Sequence, residues 1–571
     1  MPEGARAIFR FLSRSHLALN SVIAKFSGPL TSQQQAQLIQ EGRNLLLQGK
    51  LQEAAQNFQR CLKKAPLNED ASLWLTRVLL IQGEYLQAQK ILFRALAWHT
   101  KSQTLHHQLA SLLLATGSFW EAETEYRKLQ NSPNSIQANL ALADLSFGNA
   151  KYEDALNYYK RVLEKDPSNI SAIAGIDSIT NKPANAFVNS YENGKAVLIV
   201  DYVLPVPGRS AGSSRLFEMI KIIREAGFNV TLIAQNGEYQ KRAQSQLEEM
   251  GVETYATDPE QLVAWNYKTK AQPIPFAELF KKNRYILGIV CRFQIASHYI
   301  SVLRKYAPDL PIAVDTVDVH FSREEKKSVL YSRDPSDAKN LKEEELSVYS
   351  KADFLITVSK ADSDILARYF PSKRIVIIPL IYTPESQRIS FSERKDLLFV
   401  GNFVHPPNSD ALIQYCSRML PLLRNKLPNV KTYVVGANSL PLMEDFASHD
   451  VIITGFVPEI KYFLDRCRVN VAPLRYGAGA NGKILESLAT GLPVITTPVG
   501  VEGIADERGM IVAGSPEEFV DGVVAVYNDE QLWNSMSNRG RALIKDKFAP
   551  DVVKKDIIEF LEPTSLREII S

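Results

Sequence analysis

The chain has 571 residues, 45% of them hydrophobic and 23% charged, with a formal net charge of +3. That is the balance of a globular protein of about three or four domains, and it gives no ground for binding nucleic acid. Cys61, Cys291, Cys416 and Cys467 stand far apart with no C-x-x-C pair, which argues against a zinc site and a disulfide framework alike.

No apolar run approaches the roughly 18 residues of a spanning helix, and Arg6, Arg10 and Arg14 break up any signal-peptide core. A cytoplasmic protein is expected. Residues 1–30 carry four basic residues and one acid among scattered apolar positions. They read as a tail or cap, with a helix lying on the inner face of a membrane as the open alternative. From 31 to 180 the chain repeats itself. Ala54, Ala88, Ala122 and Ala155 recur at spacings of 34, 34 and 33 residues. Each follows a turn residue (Gly49, Gly83, Gly117, Ala150) and stands four residues before a large side chain (Phe58, Leu92, Tyr126, Tyr159). The period resembles that of tetratricopeptide repeats, in which a small residue lets two antiparallel helices approach closely. Four units and a capping helix over Ile170–Ile179 are expected, folding apart from the rest. Their curved groove suits an extended peptide of a protein partner or acceptor; a plain prop for the remainder is the alternative.

Asn181–Gly194 is polar and turn-rich, a linker. Beyond it, short apolar strands alternate with helical patterns. The first series is Ala196–Val200, Val230–Ala234, Tyr285–Val290, Ile312–Val314, Phe354–Val358 and Ile375–Ile378. The second is Leu397–Val400, Lys431–Val435, Val451–Thr454, Val469–Val471, Val494–Thr496 and Met510–Val512. The expected fold class is an α-helical repeat array plus α/β, with two doubly wound Rossmann-like domains over 195–385 and 386–571. The break falls near Thr383–Arg394.

The stretch from Val471 to Glu502 reads as strand, glycine loop, helix, strand. Gly477, Gly479 and Gly482 fall within six residues of one another. From Lys483 onward Ile484, Leu485, Leu488 and Ala489 share one helical face, which Gly491 ends. A glycine loop opening a helix turns bare N–H groups and the positive end of the helix dipole toward an anion such as diphosphate. Lys483 and Glu486, three residues apart, share a face at that open end. They supply a cation for phosphate and a carboxylate for sugar hydroxyls.

Other candidates follow strands, because open parallel sheets bind ligands at the strands' carboxyl ends. After the first strand, D-Y-V-L-P-V-P-G-R-S-A-G-S-S-R places Gly208 and Gly212 around a short loop, with a helix from about Ser213. After the fourth, D-T-V-D-V-H-F-S-R-E brings Asp318, His320 and Arg323 to a strand end. G-N-F-V-H-P-P-N begins with Gly401 and Asn402. Asp362-Ser363-Asp364 spells D-x-D, a metal motif elsewhere, but it enters a helix, where acids complement the dipole. No metal is expected.

The run P-L-R-Y-G-A-G-A-N-G-K-I-L-E-S-L-A-T-G-L-P-V closely resembles the donor-site signature of retaining glycosyltransferases with the GT-B fold, family 4 and its relatives (glycosyl transferases group 1). The resemblance implies metal-independent transfer of a sugar, with retention, from a nucleoside diphosphate to a glycan, lipid-linked or protein acceptor, without a cofactor. It assigns the diphosphate to Lys483, Arg475 and the loop around Gly477, Gly479, Asn481 and Gly482, and the ribose to Glu486. It turns Gly208, Gly212 and Ser213 toward the cleft near donor phosphates and acceptor, and counts Gly401 and Asn402 with the donor-binding residues. It lines the acceptor side with Asp318 and Arg323, and places His320 with Lys483, Glu486 and Arg475 among the catalytic residues. It also sends the last helix, Pro550–Leu561, back to the first domain, and suggests bacterial-type cell-surface polysaccharide biosynthesis. Two departures stand out. Asn402 and Asn408 hold the places of a family arginine and lysine, which shifts the cationic duty to Arg475 and Lys483. Ala478 holds the place of the first of two glutamates with seven residues between them, which leaves the donor sugar open. Two alternatives remain beside this reading: a protein glycosyltransferase whose repeats present the polypeptide, and a repeat scaffold with a degenerate transferase half.

Overall fold

The computed structural model describes residues 30–130, 132, 135–180, 195–208, 210–236, 241–256, 274–332, 334–386, 389–403, 405–436, 446–455, 457 and 460–562. The expected tail, Leu30 excepted, and the expected linker 181–194 lie outside the described residues. The chain divides into two compact units. One takes in Met1–Leu142, Phe403–Pro421 and Asn438–Ala447; the other takes in Ala143–Asn402, Leu422–Ala437 and Ser448–Ser571.

The repeat region supplies α1 (Ser32–Leu47), α2 (Leu51–Lys64), α3 (Glu69–Ile81), α4 (Tyr85–Trp98), α5 (Gln103–Ala115), α6 (Phe119–Lys128), α7 (Ser135–Gly148), α8 (Tyr152–Lys165) and α9 (Ile170–Thr180). Side-chain oxygens set several of their starts, as Thr31 accepts from the Gln34 amide, Asn68 from Ala71 and Ser102 from Leu105. Between paired helices the backbone turns left-handed at Gly49, Gly83 and Gly117, and Ala150 takes the same conformation with φ 56°. The four repeat alanines, Ala54, Ala88, Ala122 and Ala155, are fully buried.

In the first unit the array has company. Helix Pro406–Gln414 packs against α3, and every residue from Pro407 to Gln414 is buried. On α3, Ala71 through Ile81 are buried as well. The chain's own helix thus takes a face of the second repeat, which a repeat period by itself does not reveal.

In the second unit α8 and α9 pack together, and Ser171 Oγ donates to the Thr454 carbonyl at 2.6 Å. The strands form two sheets. The first holds β1 (Ala196–Val203), β2 (Asn229–Asn236), β3 (Glu253–Ala256), β4 (Tyr285–Cys291), β5 (Ile312–Asp315), β6 (Phe354–Thr357) and β7 (Ile375–Ile377), in the order β3-β2-β1-β4-β5-β6-β7. The second holds β8 (Leu397–Val400), β9 (Thr432–Val435), β10 (Val451–Gly455), β11 (Val469–Ala472), β12 (Val494–Thr496) and β13 (Met510–Val512), in the order β10-β9-β8-β11-β12-β13. Every pairing in both sheets is parallel. This is the expected helical repeat region with two doubly wound sheets. β3 is the strand missing from the sequence reading: E-T-Y-A is a short edge strand with no apolar run to announce it.

Five helices position the site. They are α10 (Ala211–Glu225), α11 (His320–Leu330), α12 (Ser336–Ser350), α13 (Lys360–Ala367) and α14 (Gly482–Ala489). The last helix, α15 (Pro550–Leu561), buries Val553, Ile557, Phe560 and Leu561 in the core beneath the first sheet, with Phe560 edge-on to Phe354. Strand order reverses between β1 and β4 in one sheet and between β8 and β11 in the other. Doubly wound sheets hold ligands beyond such reversals, because the loops there part to opposite faces.

Candidate active site

The loops after β1, β4, β8 and β11 all end at these reversals. The glycine loop after β11 feeds α14, whose N-cap Asn481 makes no side-chain hydrogen bond to the first turn. A Cβ on Gly482 would run into the Cβ of Ala211, the first residue of α10, and would stand 2.9 Å from the Tyr382 hydroxyl. Glycine there allows two helix N-termini, one from each sheet, to meet. The two positive dipole ends favour one anion between them, with the first turn of α14 left without a side-chain cap, whereas Ser210 Oγ already accepts the Ser213 amide of α10. Gly479 adopts φ +69°, and a side chain there would press on Val358 and on Asp318. The glycine loop therefore lies directly against the turn that follows β5.

Lys483 and Glu486 sit half-buried on the first turns of α14. Burial pulls the Lys483 ammonium down to about 7 and lifts the Glu486 carboxyl to about 7. Neither charge offsets the other. Glu486 makes no side-chain hydrogen bond among the described residues, and its charge holds the neighbouring Tyr382 phenol above its ordinary range, after burial. Arg475 is placed beside an aromatic pair, its guanidinium 5.7 Å from the Tyr331 ring centre, with Tyr331 edge-on to Tyr476.

In the turn after β5 and the start of α11, Asp318 pairs with Arg323. The His320 ring stands edge-on to Phe293 at 5.1 Å, with Nδ1 3.3 Å from Asp318 and 3.7 Å from Glu345. Buried Glu345, from α12, accepts the His320 and Phe321 amides at 3.1 and 2.8 Å and the Tyr349 hydroxyl at 2.6 Å. It thus caps the start of α11. His320 is held by this network, and with Asp318 it lies where the glycine loop touches the first sheet.

Other candidates brace the loops. Ser213 Oγ accepts the Val206 amide at 2.7 Å, and Ser214 Oγ accepts that of Gly208 at 2.9 Å. Gly208 turns with φ +81°, and a side chain on Gly212 would approach Val317 at 3.2 Å. Gly401 is buried and donates its amide to the Val435 carbonyl at 2.9 Å, with half-buried Asn402 next to it. Of the D-x-D pair, Asp362 is buried against Ser359, the N-cap of α13, while exposed Asp364 pairs with Lys360. Among the described residues no three His, Cys, Asp or Glu side chains stand together in a way that holds a metal ion.

Sequence reasoning missed Arg292, Lys326 and Tyr382. Arg292 follows β4 with φ +67° and directs Nε to Asp201 at 3.1 Å. A non-glycine residue in that conformation is strained, and such strain gathers at functional sites. Its one sequence signal is an arginine directly after a buried strand. Lys326 sits on a charged helix surface with nothing to distinguish it from its neighbours.

Residues 394–529 match the family model described as glycosyl transferases group 1, and residues 45–113 match that of a tetratricopeptide repeat. The chain thus joins a tetratricopeptide region to a group 1 glycosyltransferase domain. A curated relative, an uncharacterized 44.6 kDa protein in the cps region of Klebsiella pneumoniae, is 23% identical over 190 residues. The match covers 31% of this chain and 48% of that protein, so the chain spans about half the length of the relative. Among solved structures, a mutant O-GlcNAc transferase of Thermobaculum terrenum aligns over 95% of this chain and 99% of that one, at 13% identity and TM-score 0.44. Sucrose-phosphate synthase of Thermosynechococcus elongatus aligns over 64% and 98%, at 14% identity and TM-score 0.46.

Proposed function

We propose that the protein is a retaining, metal-independent glycosyltransferase that takes a sugar from a nucleoside diphosphate. The observation that carries this reading is the meeting of α10 and α14 at Ala211 and Gly482, beside a lysine and a glutamate that burial has moved toward neutrality. A diphosphate set between the two helix ends restores the charge of Lys483. As the glycosidic bond breaks, negative charge grows on the departing diphosphate, and Lys483, Arg475 and the loop amides stabilise it in a dry site. Glu486 accepts ribose hydroxyls and fixes the donor's pose. The acceptor enters from the side of Asp318, His320 and Arg323, and the leaving phosphate takes its hydroxyl proton.

The relative's place in a cps region favours a glycan or lipid-linked acceptor of cell-surface polysaccharide. A polypeptide laid along the repeats is disfavoured, since Trp74, Thr76 and Arg77 of α3 are already buried. A protein partner would use the exposed side of the repeats, where Leu86, Trp98 and Trp120 are uncovered. A donor-hydrolysis assay over a panel of nucleotide sugars tests the reading. Turnover of one donor is expected, and it should persist in EDTA. Loss in EDTA that Mn²⁺ restores would overturn the metal-independent mechanism, and no turnover with any donor would favour a degenerate scaffold.

A further inference from the structure

The glycine loop after β11 is gripped from the opposite sheet at two points. Lys326, on α11, donates from Nζ to the Gly477 carbonyl at 3.2 Å and to both carboxylate oxygens of Glu502 at 2.7 Å. Asp362, on the first turn of α13, accepts the Ser359 hydroxyl at 2.7 Å, and the Gly479 backbone N–H draws its carboxyl down against the effect of burial. Gly477 and Gly479 bracket Ala478, the position where a glutamate is replaced. A side chain at Gly479 would stand 3.3 Å from Val358 and 3.5 Å from the Asp318 Cβ, so the contact is close at Gly479.

We infer that Lys326 and Asp362 are positioning residues that hold the two ends of the glycine loop, so that its amides face the donor diphosphate only while the two sheets are together. The inference rests on the donor-site reading above. The loop offers few side chains to anchor itself: Gly477, Ala478, Gly479 and Ala480 carry at most a methyl group. Its shape must be imposed from outside, by an ammonium that takes the Gly477 carbonyl at one end and a buried carboxylate that acts on the Gly479 N–H at the other. Burial and the nearby Asp318 carboxylate hold the Asp362 carboxyl at about 6, against the pull of Ser359, the Gly479 amide and the Lys326 charge. Such a withdrawn acid is suited to accepting hydrogen bonds rather than holding a solvated charge. Glu502 steadies Lys326 in turn. The D-x-D spelling thus conceals a brace for the donor loop.

Lys326→Met, Asp362→Ala and Asp362→Asn, made in the full chain, test this by steady-state kinetics and by isothermal titration with UDP, GDP and ADP. For the methionine and alanine variants the donor KM is expected to rise at least tenfold. Their kcat should stay within about threefold, with acceptor KM and thermal midpoint unchanged. Asp362→Asn retains an oxygen for the Gly479 amide, so it should return donor KM to within threefold of the natural protein. Unchanged donor KM in both variants overturns the inference and leaves the donor site standing. A loss of kcat and thermal midpoint together also overturns it, since that is the mark of a merely structural role. Failure of the natural protein to bind any of the three diphosphates removes the donor-site reading, and this inference with it.

Discussion

Arg215 with Asp315, and Lys483 with Glu486, are two sets of opposite charges drawn from water in one unit, and they differ in whether the two members pair with each other. Arg215 and Asp315 are each 1% exposed, joined at 2.6 Å, with the Arg215 Nε also on the Ile378 carbonyl. That set locks α10 to β5 and to the end of the first sheet. Lys483 and Glu486 do not offset each other, and burial moves both to about 7. Opposite charges buried against each other are architecture. Charge that is buried and shifted toward neutrality lowers stability until a ligand restores it, and this is how functional sites come to stand apart.

The comparison can be broken at its strongest point first. Arg215→Ala leaves the Asp315 carboxylate buried without its partner and should destabilise the protein by about 3–5 kcal/mol in chemical denaturation. Replacing both, as Arg215→Met with Asp315→Leu, should recover most of that. If Arg215→Ala lowers stability by less than about 1 kcal/mol, the first pair is not architecture. Removal of residues 1–180 is next. It takes α3 away from a helix whose Leu412 and Ile413 are buried. Each aliphatic side chain so exposed costs about 1.5–3 kcal/mol, so the shortened protein should melt well below the full chain. An unchanged melting curve would show that the repeats are dispensable to the fold.

The second set predicts the opposite sign. Lys483→Met removes a cation that burial disfavours, so the ligand-free protein should gain about 1–3 kcal/mol near pH 8 while losing activity at least tenfold. The pH dependence follows. Lys483 titrates below its unfolded value of 10.5, so the ligand-free fold regains stability as pH rises from about 7 toward 10.5. Glu486 titrates above its unfolded 4.5, so stability declines as pH rises from 4.5 through about 7. Thermal midpoints across this range, compared between the natural protein and the Lys483→Met and Glu486→Gln variants, check both signs.

The same contrast explains what could be read from sequence. Periodicity is local, so the alanine spacing disclosed the repeats and the apolar runs disclosed twelve strands. β3 escaped because an edge strand needs no apolar run. Lys483 and Glu486 were legible because a glycine loop and a helix start lie beside them in the chain. Lys326 and Arg292 were not, since their partners stand in other elements: 151 residues separate Lys326 from Gly477, and 91 separate Arg292 from Asp201. The helix against α3 was hidden for the same reason.

The central claim is that Lys483 and Glu486 await a nucleoside diphosphate. Isothermal titration with UDP, GDP and ADP at pH 8, repeated in buffers of different ionisation enthalpy, tests it most directly. At pH 8 Lys483 is largely neutral before binding, so a bound diphosphate should draw up to about one proton from the buffer, and Lys483→Ala should abolish that uptake. At pH 6 the sign should turn, as Glu486 gives up its proton to accept ribose hydroxyls. Binding with no proton uptake at pH 8, or an uptake that survives Lys483→Ala, would contradict the account.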